Sequence, residues 1–427
     1  MRTGLRAAVL ATVTAALVAG TVTPAGAAES SSAAATTNRS WIADLASGDG
    51  TGVDTTSDGV TLDASAAHDA PRDAQTPRGT EGGADAPGTG FLTLAPRTLD
   101  RPTDQVDSTL TADVPDGGDV TVDVRGRSAN GGWTEWIPST ATSPTGSSAQ
   151  LPEATSVVQS RLVLTGTPGA EPAVTGLEQE ARPTALPEGA EDATTETAPL
   201  SYSVFATREG LVGGTTANGH VIVDRDHFVA LPSRRALSPR NTNDYSVKVC
   251  ASNGRCSFAP VWDIGPWNTR DDYWNPGNIR QNWGDLPQGV PQAQAAYRDG
   301  YNGGNDQFGR KALNPAGIDL ADGVFWDDLG LKDNATVTVD YLWTGSTKLS
   351  EVDATAAAGD AEASAGSVRV HSAPSADATV VGGAADGAAV PVMCATGTGW
   401  LQIGAGQFLP VAAVPGARAA STCTSAG

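Results

Sequence analysis

Apolar and polar residues alternate with period two in several separated stretches, the pattern of half-buried β-strands. Val120-Thr121-Val122-Asp123-Val124-Arg125 and Val157-Val158-Gln159-Ser160-Arg161-Leu162-Val163-Leu164-Thr165 carry it, each bounded by Gly, Pro or Asn. They predict a small β-sandwich over residues 91–181. Further strands are predicted at 203–207, 219–223, 227–231, 246–250 and 257–264. A final one runs over 335–343, with Val337, Val339 and Tyr341 on one face. Between them, 317–330 predicts a short helix with an acidic N-cap, stopped by Gly330.

Composition divides the chain. Of 23 Phe, Trp and Tyr in 427 residues, 17 lie between Tyr202 and Trp343, which places the main core there. Residues 29–90, 182–200 and 345–366 are rich in Ser, Thr, Ala, Asp and Gly and nearly free of aromatics, so they read as a disordered stalk and two linkers. The predicted order is sandwich (91–181), central domain (201–344) and tail domain (367–427). A formal charge of −21 argues against nucleic acid as a partner. Residues 202–343 carry 16 acidic and 13 basic side chains, so the acidity belongs to the flanks and acts for solubility.

Arg2 and Arg6 precede an apolar run over 7–20 and the small-x-small triplet Ala25-Gly26-Ala27, which predicts a signal peptide over 1–28. The run is shorter than the roughly 20 residues that span a bilayer, so secretion is expected and no membrane span thereafter. Outside the cell thiols oxidise, and local pairing gives Cys250 with Cys256 and Cys394 with Cys423. A three-residue loop with left-handed Gly254 would set Cys250 opposite Cys256. No His, Cys or acidic cluster has metal or cofactor spacing, so neither is expected. Trp133 and Trp136 admit two readings, core packing or stacking on sugar rings.

Four blocks of the central segment resemble the double-psi β-barrels of rare lipoprotein A, barwin and the expansins. These are Thr216-Ala217-Asn218-Gly219, Leu231-Pro232, Trp262-Asp263-Ile264-Gly265-Pro266 and Gly317-Ile318-Asp319-Leu320. The segments Val368-Arg369-Val370-His371-Ser372-Ala373-Pro374 and Gly399-Trp400-Leu401-Gln402-Ile403 resemble a bacterial SH3-like module. The implied fold is mainly β: a six-stranded double-psi β-barrel flanked by an N-terminal β-sandwich and a C-terminal SH3-like barrel.

The resemblance implies a secreted, monomeric protein that binds peptidoglycan or another cell-wall polysaccharide and cleaves it as a lytic transglycosylase or glycoside hydrolase. A non-catalytic expansin-like polysaccharide-binding protein, or a structural wall protein, is the alternative. Asp263, ending a strand, and Asp319, beginning a helix, are the implied catalytic carboxyls, one protonating the glycosidic oxygen. Each also has a plain structural reading, as a turn former and an N-cap respectively. His227 is the implied substrate-binding histidine, separated from Leu231-Pro232 by three residues where the family has two. The insert over 268–314 and the turn before it supply Trp267, Tyr273, Trp274 and Trp283 to line a sugar-binding groove or to pack a lid. Ser233-Arg234-Arg235-Ala236-Leu237 stands where the family has Phe-Gly-Thr.

Overall fold

The computed structural model describes residues 39–67, 87–184, 197–356, 363–364, 366–417 and 420–423. The expected signal peptide lies outside them, as do parts of the three expected linkers. The described chain is mainly β, with one closed six-stranded barrel and one nearly closed barrel-like sheet.

The first sheet contains β1 (Ser40–Ile42), β2 (Asp49–Thr51), β3 (Val53–Thr56), β4 (Gly59–Leu62), β5 (Gly88–Thr93), β6 (Arg97–Asp113) and β7 (Asp119–Gly126). The short β8 (Ile137–Pro138) and β9 (Thr140–Ala141) and the long β10 (Gly146–Gly166) and β11 (Ala173–Pro183) complete it. Its path is β2-β5-β10-β6-β11-β4-β3, and its two ends are joined in sequence through Gly52. The stalk expected over 29–90 is therefore ordered in part: β1 and β4 pair with β11, and β2 pairs with β5. Few apolar residues are needed here, because the existing sheet supplies backbone partners and a core that buries Leu45, Val60 and Leu62.

The central barrel is built from β12 (Leu200–Arg208), β13 (Val229–Leu231), β14 (Ser246–Ala251), β15 (Cys256–Ile264), β16 (Ala316–Leu320) and β17 (Ala335–Tyr341). Its order is β13-β16-β12-β17-β14-β15, and pairing of β15 with β13 closes it. Val204, Ala206, Leu231, Ile318, Leu320, Val337, Val339 and Tyr341 fill its interior. Cys250 faces Cys256 across the β14–β15 hairpin, bridged as expected, with Gly254 at φ 85°. Two sequence expectations change. Residues 219–223 form only an isolated bridge, Thr215 with Val221. Residues 316–320 are strand, with helix confined to a π-helical turn over Gly323–Asp328. Ile318 and Leu320 point inward with period two, so Asp319 is a strand residue and not a helix cap.

The tail contains β18 (Leu349–Glu351), β19 (Ala363–Ser364), β20 (Ser367–His371), β21 (Val380–Ala385), β22 (Ala389–Pro391), β23 (Cys394–Ala395), β24 (Trp400–Gly404) and β25 (Gln407–Pro410). The expected Cys394–Cys423 disulfide closes it. Strand β21 pairs in parallel with β15, so the barrel sheet continues into the tail. Gly382 permits this: a Cβ there would sit 1.6 Å from the Cys256 carbonyl oxygen. The linker expected over 345–366 includes β18, which pairs with β22.

An arginine–carboxylate seam joins the first sheet to the barrel. Buried Asp123 of β7 accepts from Arg161 of β10 at 2.9 Å and lies 3.3 Å from Arg234, just beyond β13. Arg125 reaches Asp244 at 2.6 Å and lies 4.2 Å from the rings of both Trp133 and Trp136. Both tryptophans are buried in the cluster that contains the barrel core, and Trp136 Nε1 donates to the Leu237 carbonyl at 3.2 Å. The Ser233–Leu237 block that departs from the family pattern is thus the barrel's side of this seam. Replacing Asp123 by Ala is expected to lower the unfolding free energy by about 3–5 kcal/mol, because it strands buried guanidinium groups. Denaturant titration checks this; a loss under about 1 kcal/mol would remove Asp123 from that role.

Candidate functional site

Register brings the two predicted aspartates into one row. Ala230 of β13 is aligned with Asp263 of β15 on one side and with Asp319 of β16 on the other. Two strand spacings put their Cα atoms roughly 9–10 Å apart. Thr207 of β12 is next in the row and donates its hydroxyl to Asp319 Oδ1. The row faces away from the barrel interior and is covered by the chain over 209–227. Asp263 is 6 % exposed and Asp319 1 %. Asp263 Oδ1 accepts from the amides of Ala217 at 2.7 Å and Ile264 at 2.8 Å. Its first role is therefore to latch the Thr216–Gly219 turn onto the end of β15.

A third carboxyl, absent from the sequence reading, completes the group. Glu209 follows β12, its amide donating to the Leu320 carbonyl at 2.9 Å, and it is 1 % exposed. Burial raises its pKa well above the ordinary 4.5; the charge of Asp263, a hydrogen bond to that carboxyl, and the charges of Asp319 and Asp322 act in the same direction. Neither Glu209 oxygen meets an amide or hydroxyl donor among the described residues. Asp263 has two amide donors and Glu209 none, so a proton between the two carboxyls is favoured on Glu209. No motif marks Glu209 in the sequence. Only the parallel register of β12 with β16 places it beside the aspartates.

The other predicted site residues lie elsewhere. His227 is buried against the tail, with Nδ1 3.0 Å from Asp328 Oδ2, which also accepts from Ser257 at 2.6 Å. Gly366 and Ser367, at the start of the tail, close this junction. Burial opposes protonation of His227, but the hydrogen bond to Asp328 and the charges of Asp328, Asp327 and Asp226 outweigh it and raise the pKa. Trp267 packs on Ala293 of α1 (Gln292–Asp299), and its Nε1 donates to Asn314 at 2.9 Å. Tyr273 and Trp274 are wholly buried; Tyr273 donates to the Gly317 carbonyl at 2.9 Å, and Trp274 stacks on Tyr341 at 5.0 Å. Trp283 is partly buried. The insert is thus a packed lid, held by buried ion pairs of Asp271 with Arg280 and of Asp272 with Arg235 at 2.9 Å. Three of the four expected sugar-stacking rings are spent on packing.

A different concavity is open to solvent. A cleft of 1140 Å³ lies between the first sheet and the barrel, walled by Ile137, Pro138, Ile279 and Trp343 and studded with Asn130, Asn278 and Lys348. Its floor is fixed by Glu135, whose Oε1 accepts from Trp274 at 2.5 Å and Trp343 at 3.0 Å and whose Oε2 accepts from Asn275 at 2.8 Å. Arg235 lies 3.1 Å from the same carboxylate. An amphipathic wall with convergent amides and one ordered indole suits a hydroxyl-rich ligand.

Residues 200–340, the barrel, match the model of a family described as a domain of unknown function, DUF8814. No curated protein matches the chain. Among solved structures, a xylan-binding module of type CBM15 is similar at 14 % identity and a TM-score of 0.20, over 34 % of this chain and 98 % of that one. A likeness at that score carries no argument. No helix among the described residues is long and apolar enough to cross a membrane, and the two disulfides are consistent with secretion.

The raised pKa of Glu209 fixes a sign for pH dependence. Above 4.5 the unfolded chain releases this proton while the folded protein retains it, so stability falls as pH rises and levels off beyond the folded value. Glu209→Gln is expected to remove that component. Denaturation midpoints of wild type and variant between pH 4 and 8 should therefore converge at the acid end and diverge upward, with the variant the more stable; parallel curves would exclude the shared proton.

Proposed function

We propose that this is a secreted polysaccharide-binding protein that holds a glycan in the cleft between the first sheet and the barrel, without cutting it. The observation that carries this reading is the contrast in access. The open cleft presents Trp343 and side-chain amides, whereas Asp263 and Asp319 are 6 % and 1 % exposed. A general acid must reach the glycosidic oxygen within hydrogen-bond distance, and the covering turn occupies that space.

The closed barrel, with parallel pairs β12–β16 and β13–β15 among antiparallel ones, supports a double-psi topology. The short tail strands support an SH3-like module. Together with the export signal read from the sequence, these point to bacterial peptidoglycan as the glycan.

Co-sedimentation with purified peptidoglycan, intact and stripped of stem peptides, tests the reading. Wild type is expected to pellet, and Asn278→Ala combined with Lys348→Ala to weaken binding about tenfold, as two lost polar contacts of about 0.5–1.5 kcal/mol each would do. Mass spectrometry of the supernatant should find no new reducing or anhydro ends. Failure to pellet sinks the binding reading, and glycan release abolished by Asp319→Asn would replace it with catalysis.

A further inference from the structure

A second cavity, of 240 Å³, opens on the other side of the arginine–carboxylate seam. Arg234, Arg270, Asn282 and Gln307 line it with Phe91 and Phe308. Its charge is unbalanced. Three guanidinium groups, Arg161, Arg234 and Arg270, meet here, and among the described residues the one buried carboxylate that partners them is Asp123. Asp123 is taken mainly by Arg161, through bonds of 3.1 and 2.9 Å. Arg234, 4 % exposed, reaches it through longer contacts, with Nε 3.3 Å from Asp123 Oδ2 and Nη2 3.5 Å from Asp123 Oδ1. Arg270 has Asp119 at 3.6 Å, and that carboxylate is 57 % exposed.

The two cavity arginines are held close by backbone. Ser233 bridges to Arg270, and the Arg234 amide donates to the Thr269 carbonyl at 3.1 Å. Burial lowers the pKa of Arg270 and the charge of Arg234 lowers it further, so an anion placed between them would relieve both. Arg270 is 37 % exposed and Arg234 4 %, so water solvates only part of this positive excess.

We propose that this cavity is a binding site for a carboxylate carried on a short apolar stem. Guanidinium groups hold carboxylates through paired, charge-assisted hydrogen bonds. Phe91 and Phe308 would cover the stem, and the amide of Asn282, on the same wall, supplies a further donor. The volume lies below the usual range for whole-ligand pockets, about 300–1,000 Å³, so it takes an end group: the last residue of a peptide or a small free acid. A compact, strongly hydrated phosphate would leave the apolar walls unused. The proposal is independent of the glycan reading, since the two cavities share no lining residue.

Calorimetric titration of the full-length protein tests it, with N-acetylalanine for a peptide end, propionate for a free acid, inorganic phosphate, and N-acetylalaninamide as the uncharged control. N-acetylalanine is expected to bind saturably, the amide at least tenfold more weakly, and Arg270→Gln and Asn282→Ala to reduce carboxylate affinity at least tenfold and several-fold respectively. Melting temperatures of the variants establish that they are folded, and Asn282→Ala keeps the test open if Arg270→Gln is not. Tighter binding of N-acetylalanine than of propionate assigns a peptide end, and the reverse a free acid. Equal binding of acid and amide, phosphate binding above either carboxylate, or unchanged affinity in both folded variants overturns the proposal.

Discussion

Burial of arginine against a limited set of carboxylates, between two β units that would otherwise be separate, is the constraint on which the rest of this molecule depends. Arg125, Arg161, Arg234 and Arg235 are each nearly inaccessible to solvent. A buried guanidinium is tolerable only with ionic and hydrogen-bonding partners held in place. Asp123, Asp244, Glu135 and Asp272 supply them from both sides of the junction, and Trp133 and Trp136 cover the faces of the guanidinium groups. Neither unit could expose this surface cheaply, so the orientation of first sheet and barrel is specified rather than loose. The open cleft and the smaller arginine-lined cavity are both consequences of that junction.

The same constraint separates the residues that carry acidity from those that face solvent. The row of Thr207, Asp319, Ala230 and Asp263 lies on the outside of a closed barrel, where a groove could exist. The chain over 209–227 lies on it instead, held by the Asp263–Ala217 hydrogen bond and by backbone bonds such as Gly213 to Ile222. Under that cover, burial and the neighbouring carboxylates disfavour the charged form of Glu209. The insert over 268–314 likewise trades exposure for order, burying Tyr273 and Trp274 under the barrel rim. Trp274 donates to Glu135 of the first sheet, so a ring that would have lined a groove instead braces, from beneath, the carboxylate at the floor of the interdomain cleft.

Much of the secondary structure was legible because period-two alternation survives tertiary context: β14, β15 and β17 lie where their patterns placed them, and the local cysteine pairings formed. The stretch over 29–90 was harder to read. Its composition is too polar to make a core alone, yet it needs only backbone partners and a few side chains to join a core made by others. The segment around Asp319 shows the opposite difficulty. Gly317-Ile318-Asp319-Leu320 satisfies a helix-start pattern and a strand pattern equally, and pairing with β12 and β13 decides between them.

From the sequence by itself follow the mainly β character, the concentration of the core in the central third and both disulfides, because each rests on local periodicity, composition or short-range spacing; the candidacy of Asp263 and Asp319 rests on the family resemblance of the blocks that carry them. Tertiary structure alone decided that Glu209 joins those aspartates, that His227 closes the junction with the tail, that Arg234 and Arg235 belong to the seam with the first sheet, and that the accessible concavities lie between units. These depend on register between strands distant in the chain and on which surfaces meet. A one-residue shift in pairing would turn every such side chain to the opposite face without altering the local pattern.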